Sequence, residues 1–320
     1  MRCAVGLLLA LLLLSAAAGA GEVRVTLGTA TPGGGFPAYA EALIATLRET
    51  DPGLVIEPRP TGGSVENLGL LRGGVLDLAL VQGEHAYPAL ADTTAPRLTV
   101  VAPIYPTPGL FVVPGDSPVR QVSDLRGRPV ALGTRDSGLT AMGRAVLAAS
   151  GLDPERDIVP VVLARAGDGP ERVRAGAVAA LWGGGLRWPG FTALAADPGG
   201  ARFLAPGPEA VARLVAERPS LRRMRVPVGT FRGQDEAIDT VGSWSLILAR
   251  PGLDPGVAER LVRAMDKARD ALARATGQGK GSDPRNLAES VPAAWLNPGT
   301  ARALADLAGG AQSPPSEPAR

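Results

Sequence analysis

Cysteine occurs once in 320 residues, at Cys3, and histidine once, at His85. Cys3 sits in a leader expected to be removed, which leaves no thiol for disulfides or thiolate metal sites. A single histidine also leaves a transition metal without its usual partners, so no metal and no cofactor is expected. The formal net charge is only +2 and no basic block is present. That excludes the electrostatic footprint of a nucleic-acid binder, and the pI near 9.0 reflects a slight excess of arginine. Beyond the leader, no apolar run is long enough to span a bilayer, so stable membrane insertion is not expected. What remains is a globular composition, 45% hydrophobic and 20% charged, with apolar content for one large or two medium cores.

The first twenty residues read as an export signal. Arg2 supplies the positive start, Val5 to Leu14 a leucine-rich stretch, and Ala18-Gly19-Ala20 the small residues that precede cleavage. Cleavage after Ala20 puts Gly21, not cysteine, at the new terminus, so a lipoprotein anchor is not expected. The expected location is the periplasm.

Strands and helices alternate throughout, which predicts an α/β protein with mainly parallel sheets. Four loops turn from strand to helix. GTATPGGGF at 28–36 follows the strand Val23–Leu27 and opens a helix with Phe36, Ala40, Leu43 and Leu47 at helical spacing. TGGS at 61–64 opens a shorter helix that stops at Gly73-Gly74. TRDSG at 134–138 follows the strand 129–133, and GGGLRWPG at 183–190 follows the strand Ala177–Trp182. The proline-rich but apolar segment 102–118 suits a crossing between two lobes, and Val226–Thr230 suits a return. The expected organisation is a first lobe of 21–108 with 227–310, an inserted second lobe of 109–226, and a disordered tail at 311–320.

In open α/β sheets, ligands bind at the carboxyl ends of strands, where loops enter helices. Helix starts there offer unpaired N–H groups and partial positive charge. Glycine allows close backbone approach, and serine or threonine adds a donor. Four such starts, two in each lobe, describe a cleft for a small anionic ligand. None of the loops matches a nucleotide motif: GGSVENLG lacks the phosphate-binding lysine, and TPGGGF lacks the spacing of a dinucleotide fingerprint.

The segments GTATPGGGF, TGGSVENLGLLRGGVLDLALVQ and VALGTRDSGLTA resemble those of the TAXI family. These are the solute-binding proteins of one branch of TRAP (tripartite ATP-independent periplasmic) transporters. The similarity runs from about residue 23 to 275, with the segments in the same order. It implies a two-lobed periplasmic-binding-protein fold of the second type, each lobe a mainly parallel sheet flanked by helices. It also implies no catalysis, an integral-membrane TRAP permease as partner, and often a small carboxylate such as glutamate as ligand. The first family loop matches at Gly28, Thr29, Gly33 and Gly34, with Phe36 where tyrosine is usual. The second matches at Gly63, Ser64, Val65, Asn67 and Gln82, and the third at Gly133, Ser137 and Gly138. Gly83-Glu84 and Arg135-Asp136 depart from the pattern, and Ala179 stands where the family has an aspartate.

The expected ligand contacts are Thr29, Gly33, Gly34, Gly35 and Phe36 from the first loop, and Gly63, Ser64, Asn67 and Gln82 around the second. From the third come Thr134, Arg135, Ser137, Gly138 and Leu139, and from the fourth Trp182 and Trp188. Arg135 has the planar fork that pairs with a carboxylate, although a solvated surface arginine fits the same position. The two tryptophans can wall a cleft or belong to the core. His85 is the one candidate base for Ser64 or Ser137, but no nucleophile elbow surrounds either serine. Asp153, Glu155 and Asp157 alternate as in a calcium loop, but Pro154 and the lack of a following glycine favour a solvated turn. The function expected is capture of a small anionic solute, a carboxylate or amino acid, between two lobes for delivery to a TRAP-type, ion-gradient-driven permease. The alternatives are a binding protein for an ATP-driven importer, a ligand-sensing partner of a membrane kinase, and an enzyme.

Overall fold

A computed structural model describes residues 21–310. The expected export signal at 1–20 and the tail at 311–320 lie outside the described residues.

The first lobe begins with β1 (Val23–Gly28), α1 (Gly35–Thr50), β2 (Leu54–Arg59), α2 (Ser64–Arg72), β3 (Leu78–Gln82) and α3 (Gly83–Ala91). β1 is the centre, parallel to β2 on one side and to β3 on the other. That reversal of strand order makes a switch point, where the loops leaving neighbouring strands diverge and open a crevice at the carboxyl ends. The second lobe repeats the arrangement with β5 (Pro129–Thr134), α4 (Gly138–Ala149), β6 (Val159–Leu163), α5 (Gly169–Arg174), β7 (Ala180–Gly184) and α6 (Pro189–Ala195). Here β5 is central, parallel to both β6 and β7.

Two long strands, β4 (Thr99–Pro114) and β10 (Ile238–Ala249), join the lobes. They run antiparallel to each other and also border β3 and β7 in antiparallel register, so the sheets are mixed at the junction and parallel further out. The remaining strands, β8 (Ala201–Leu204) and β9 (Arg222–Val226), pair antiparallel with β4 and β10. Helix α7 (Pro208–Glu217) lies between them in sequence. The chain continues with α8 (Pro255–Ala275), α9 (Leu287–Ser290) and α10 (Pro298–Gly310).

Alternation along the strands builds a core on each sheet face. Leu78 and Leu80 join one first-lobe core with Ile247 and Ala249, whereas Ala79 and Val81 join the other with Leu246 and Leu248. In β4, Phe111 and Val113 face one second-lobe core while Leu110 and Val112 face its opposite. Helix α8 lays Leu261, Val262, Met265, Ala268 and Leu272 on the first lobe at helical spacing, and Asp254 caps its start by accepting from Gly256 N at 2.7 Å.

The outward crossing lies in β4, within the proline-rich segment, but the return is not at 226–230. Val226, Phe231, Ile238 and Val241 all pack in second-lobe cores, so the chain stays there until β10 carries it back near Gly242. The prolines and glycines around 227–233 form turns on that lobe instead of a hinge. At the crossing the two backbones are unusually close. A Cβ on Gly242 would overlap the Thr107 carbonyl oxygen and stand 2.6 Å from Met224 Sδ and 2.8 Å from Pro108 Cα. The Thr240 hydroxyl donates to Gly109 O at 2.7 Å just beside it.

Gly242→Ala is therefore expected to force the strands apart and lower stability by about 1–3 kcal/mol. A fall in the urea midpoint with little change in slope checks this; an unchanged midpoint would show that the crossing yields without cost.

Candidate functional site

The two switch points face each other across a cavity of about 80 Å³. On a measure in which one water takes ~10–15 Å³, that is room for several waters or a small solute. From the first lobe, Gly34, Gly35 and Phe36 reach it at the start of α1, and Gly63 and Ser64 at the start of α2. Gly63 needs glycine because its φ is 126°, a conformation that side chains oppose. From the second lobe come Thr134, Ser137 and Leu139 around the start of α4, together with Trp182 and Trp188. None of the side chains lining the cavity is charged.

The lobes touch at its mouth. Val65 N–H, an orphan donor in the first turn of α2, donates across to Asp136 O at 3.2 Å. On the other side, Gly167 N–H donates to Pro32 O and Ala166 N–H to Thr31 Oγ1, both at 3.3 Å. Gly33 lies against Gly167, where a Cβ would overlap the opposing backbone.

Five of the expected contact residues do not line the cavity. The Thr29 hydroxyl donates to Arg59 O at 3.1 Å, which ties β1 to β2. Gly33 is at the rim contact just described. Asn67 is fully buried behind the helix start, and its amide donates to Thr29 O and Leu80 O, both at 2.8 Å. It clamps the ends of β1 and β3 instead of touching a ligand. Gly138 packs against the Gln82 side chain. Arg135 is exposed to solvent, because its loop turns the guanidinium outward while the neighbouring Asp136 carbonyl faces α2.

Several lining groups are already committed. Ser64 Oγ accepts from Gln82 N at 3.1 Å. Gln82 Oε1 caps α3 by accepting from Glu84 N at 3.0 Å, and its amide donates to Ser243 Oγ. Trp182 Nε1 donates to Leu139 O at 2.7 Å and its ring packs on Phe111, so Trp182 belongs to the core and the cavity wall together.

The departures from the family pattern fall away from the cavity. Gly83 sits where a Cβ would meet Ser243 Cβ at 2.7 Å. The buried Glu84 carboxylate accepts from Ser220 Oγ and pairs with Arg218 at 3.2 Å, joining α3 to the second lobe. Ala179 lies before β7 and is not in the lining. His85 is half-buried; burial lowers its pKa against the opposing pull of Glu84 and Asp136, which keeps it neutral at pH 7. Among the described residues it makes no hydrogen bond to Ser64 or Ser137, whose hydroxyls accept from Gln82 N and Leu139 N. Asp153 Oδ1 accepts from Glu155 N at 2.8 Å, and Asp157 pairs with Arg126 at 2.6 Å, so the acidic turn is held by its own neighbours. No group of His, Cys, Asp or Glu among the described residues is arranged to hold a metal ion. No helix among them is long and apolar enough to cross a membrane.

Tyr105, Thr107 and Ser245 also line the cavity, and none of them was expected from the sequence. They come from the crossing strands, where Thr107 and Ser245 bond to each other at 3.0 Å. Burial, with a smaller push from Tyr39, raises the Tyr105 pKa, so its phenol stays protonated and able to donate. The one local hint is an aromatic residue between prolines in IYPTPG, which gains meaning only once β4 is known to span both lobes.

Residues 27–306 match the NMT1-like family. Among solved structures, the chain is similar to one described as a periplasmic transporter, with a TM-score of 0.57 and 17% identity over 84% of this chain and 90% of that one. It is also similar to Tv2483 bound to L-arginine, with a TM-score of 0.53 and 13% identity over 82% and 93%. A third is a hydrogen-peroxide-bound mutant of OxyR from Corynebacterium glutamicum, with a TM-score of 0.50 and 19% identity over 85% and 74%. At these identities the shared property is the two-lobed α/β fold, in which a periplasmic-binding-protein architecture is represented.

Asn67→Ala removes both amide donors from the buried clamp. It is expected to cost about 1–3 kcal/mol, read as a lower urea midpoint. No change would show that water or Thr61, which already donates to Thr29 O, takes over.

Proposed function

Because the chain belongs to the NMT1-like family and closes a cavity between two lobes, we propose that it is an extracytoplasmic solute-binding receptor. It captures a small anionic solute, in the first place a carboxylate, and delivers it to a TRAP-type permease driven by an ion gradient. The observation that carries this reading is the convergence of three helix starts, from both lobes, on one cavity. Their partial positive charge favours an anion without any basic side chain. The leader at 1–20 supports export. The resemblance of the GGSVEN and TRDSG segments to the TAXI family supports the TRAP assignment.

The mechanism is hinge closure about the paired crossing strands. A ligand that bridges donors on both lobes binds the closed state more tightly than the open one and shifts the population towards it. The rim contacts from Asp136 to Val65 and from Gly167 to Pro32 form only when the lobes meet. The permease then reads the closed surface.

A thermal-shift panel of carboxylates, sulfonates, keto acids and amino acids tests the receptor reading. A ligand at about 100 times its Kd adds about 2.7 kcal/mol, which for a chain of this size raises Tm by roughly 4–5 °C. A panel in which no compound moves Tm would overturn it. Uptake in vesicles then tests the partner: loss with an ionophore but not on ATP depletion fits a TRAP permease, and the reverse result identifies an ATP-driven importer.

A further inference from the structure

The cavity has a lopsided set of polar groups. No acid and no base lines it, and beside the start of α1 the lining residues Tyr105 and Trp188 meet Gln278, which lies just behind them. The position a Cβ of Gly35 would take is 3.0 Å from the Tyr105 hydroxyl, 3.9 Å from Trp188 Cδ1 and 4.0 Å from Gln278 Nε2. Trp188 and Gln278 are 5% and 8% exposed, and neither Trp188 Nε1 nor Gln278 Nε2 has a partner among the described residues. An indole N–H can only donate, and an amide nitrogen likewise. Helix α1 adds its first-turn N–H groups at the same corner, with no side-chain cap and no acidic residue in that turn. Buried donors are rarely left unpaired in a native protein, and what these lack is an acceptor.

The same cavity has a large apolar share in its lining, including Leu132, Leu139, Leu163, Leu181 and Trp182. Resting on the receptor reading above, we infer that the ligand is a small monoanion, a carboxylate or sulfonate, with an apolar body and no ammonium group. Its oxyanion sits at the corner formed by Gly35, Tyr105, Trp188 and Gln278.

Charge decides against an amino acid. An ammonium taken into the cavity loses its water and finds no carboxylate to balance it, while the helix starts present positive ends. A second carboxylate on the ligand would face leucine and indole carbons. The glutamate expected from the family resemblance carries both of these extra groups.

Isothermal titration of the protein with 4-methylpentanoate and L-leucine tests this, since the two differ only in the amino group. Glutamate, succinate and 3-methylbutane-1-sulfonate complete the set. The monoanions are expected to bind, with leucine, glutamate and succinate at least about 100-fold weaker. The carboxylate and sulfonate arms tell which oxyanion the corner prefers. Glutamate, leucine or succinate binding as tightly as the monoanions would sink the inference while leaving the receptor reading intact. No binding by any member at millimolar concentration would overturn both.

Two variants test the placement. Gly35→Ala puts a methyl 3.0 Å from the Tyr105 hydroxyl, which narrows the corner the oxyanion must enter, and is expected to weaken the monoanion about 100-fold. Tyr105→Phe removes one donor and is expected to weaken it about tenfold. The Tyr105 hydroxyl makes no hydrogen bond among the described residues, so its removal reads the site even if Gly35→Ala fails to fold. Unchanged affinity in Tyr105→Phe, or in a folded Gly35→Ala, would overturn the placement.

Discussion

Two strands crossing at contact distance hold this molecule together and let it work. Where β4 passes β10, Gly242 lies so close to Thr107 and Pro108 that no side chain fits between them. β4 pairs in both sheets, and both strands contribute residues to cores in both lobes. The lobes are thus joined by hydrogen-bonded backbone and not by a loose linker. Rotation of one against the other must be absorbed within these few residues. The register shifts opposite Ser245/Leu246 and Ile247/Leu248, which leave Ile104 and Val101 as extra residues in β4, locate irregular pairing on the first-lobe side of the crossing.

The same crossing explains the chemistry of the cavity floor. Tyr105, Thr107 and Ser245 project from the crossing strands into the space between the two switch points. The walls come from helix starts, so fixed dipoles and neutral donors supply the polarity. Dipoles of this kind are already oriented by the fold, and no flexible charged side chain has to be ordered when a ligand arrives. Charged groups are kept outside. Arg135 faces solvent, and Glu84 is spent on Arg218 and Ser220 where α3 meets the second lobe.

The glycine-serine loops were legible in the sequence because their chemistry is local. A strand that ends in GGS or DSG before an amphipathic stretch must supply a helix start, whatever the rest of the chain does. The return crossing was not legible. Proline and glycine at 227–233 look like a hinge, but Val226, Phe231 and Ile238 find their partners in residues far away in the sequence. Asn67 and Thr29 illustrate a related limit. Their positions beside a binding loop suggested ligand contact, yet backbone carbonyls in and next to β1, β2 and β3 claimed their side chains.

Read alone, the sequence determined the alternating α/β architecture and the positions of the helix starts. These follow from periodicity, capping and composition, each of which acts over a few residues or over the whole chain at once. Only the tertiary structure decided which donors remain free. Whether Gln82, Trp182 or Trp188 has a hydrogen to spare depends on which distant carbonyl or hydroxyl lies within bonding range. Gln82 and Trp182 found Ser243 and Leu139, and Trp188 found none among the described residues.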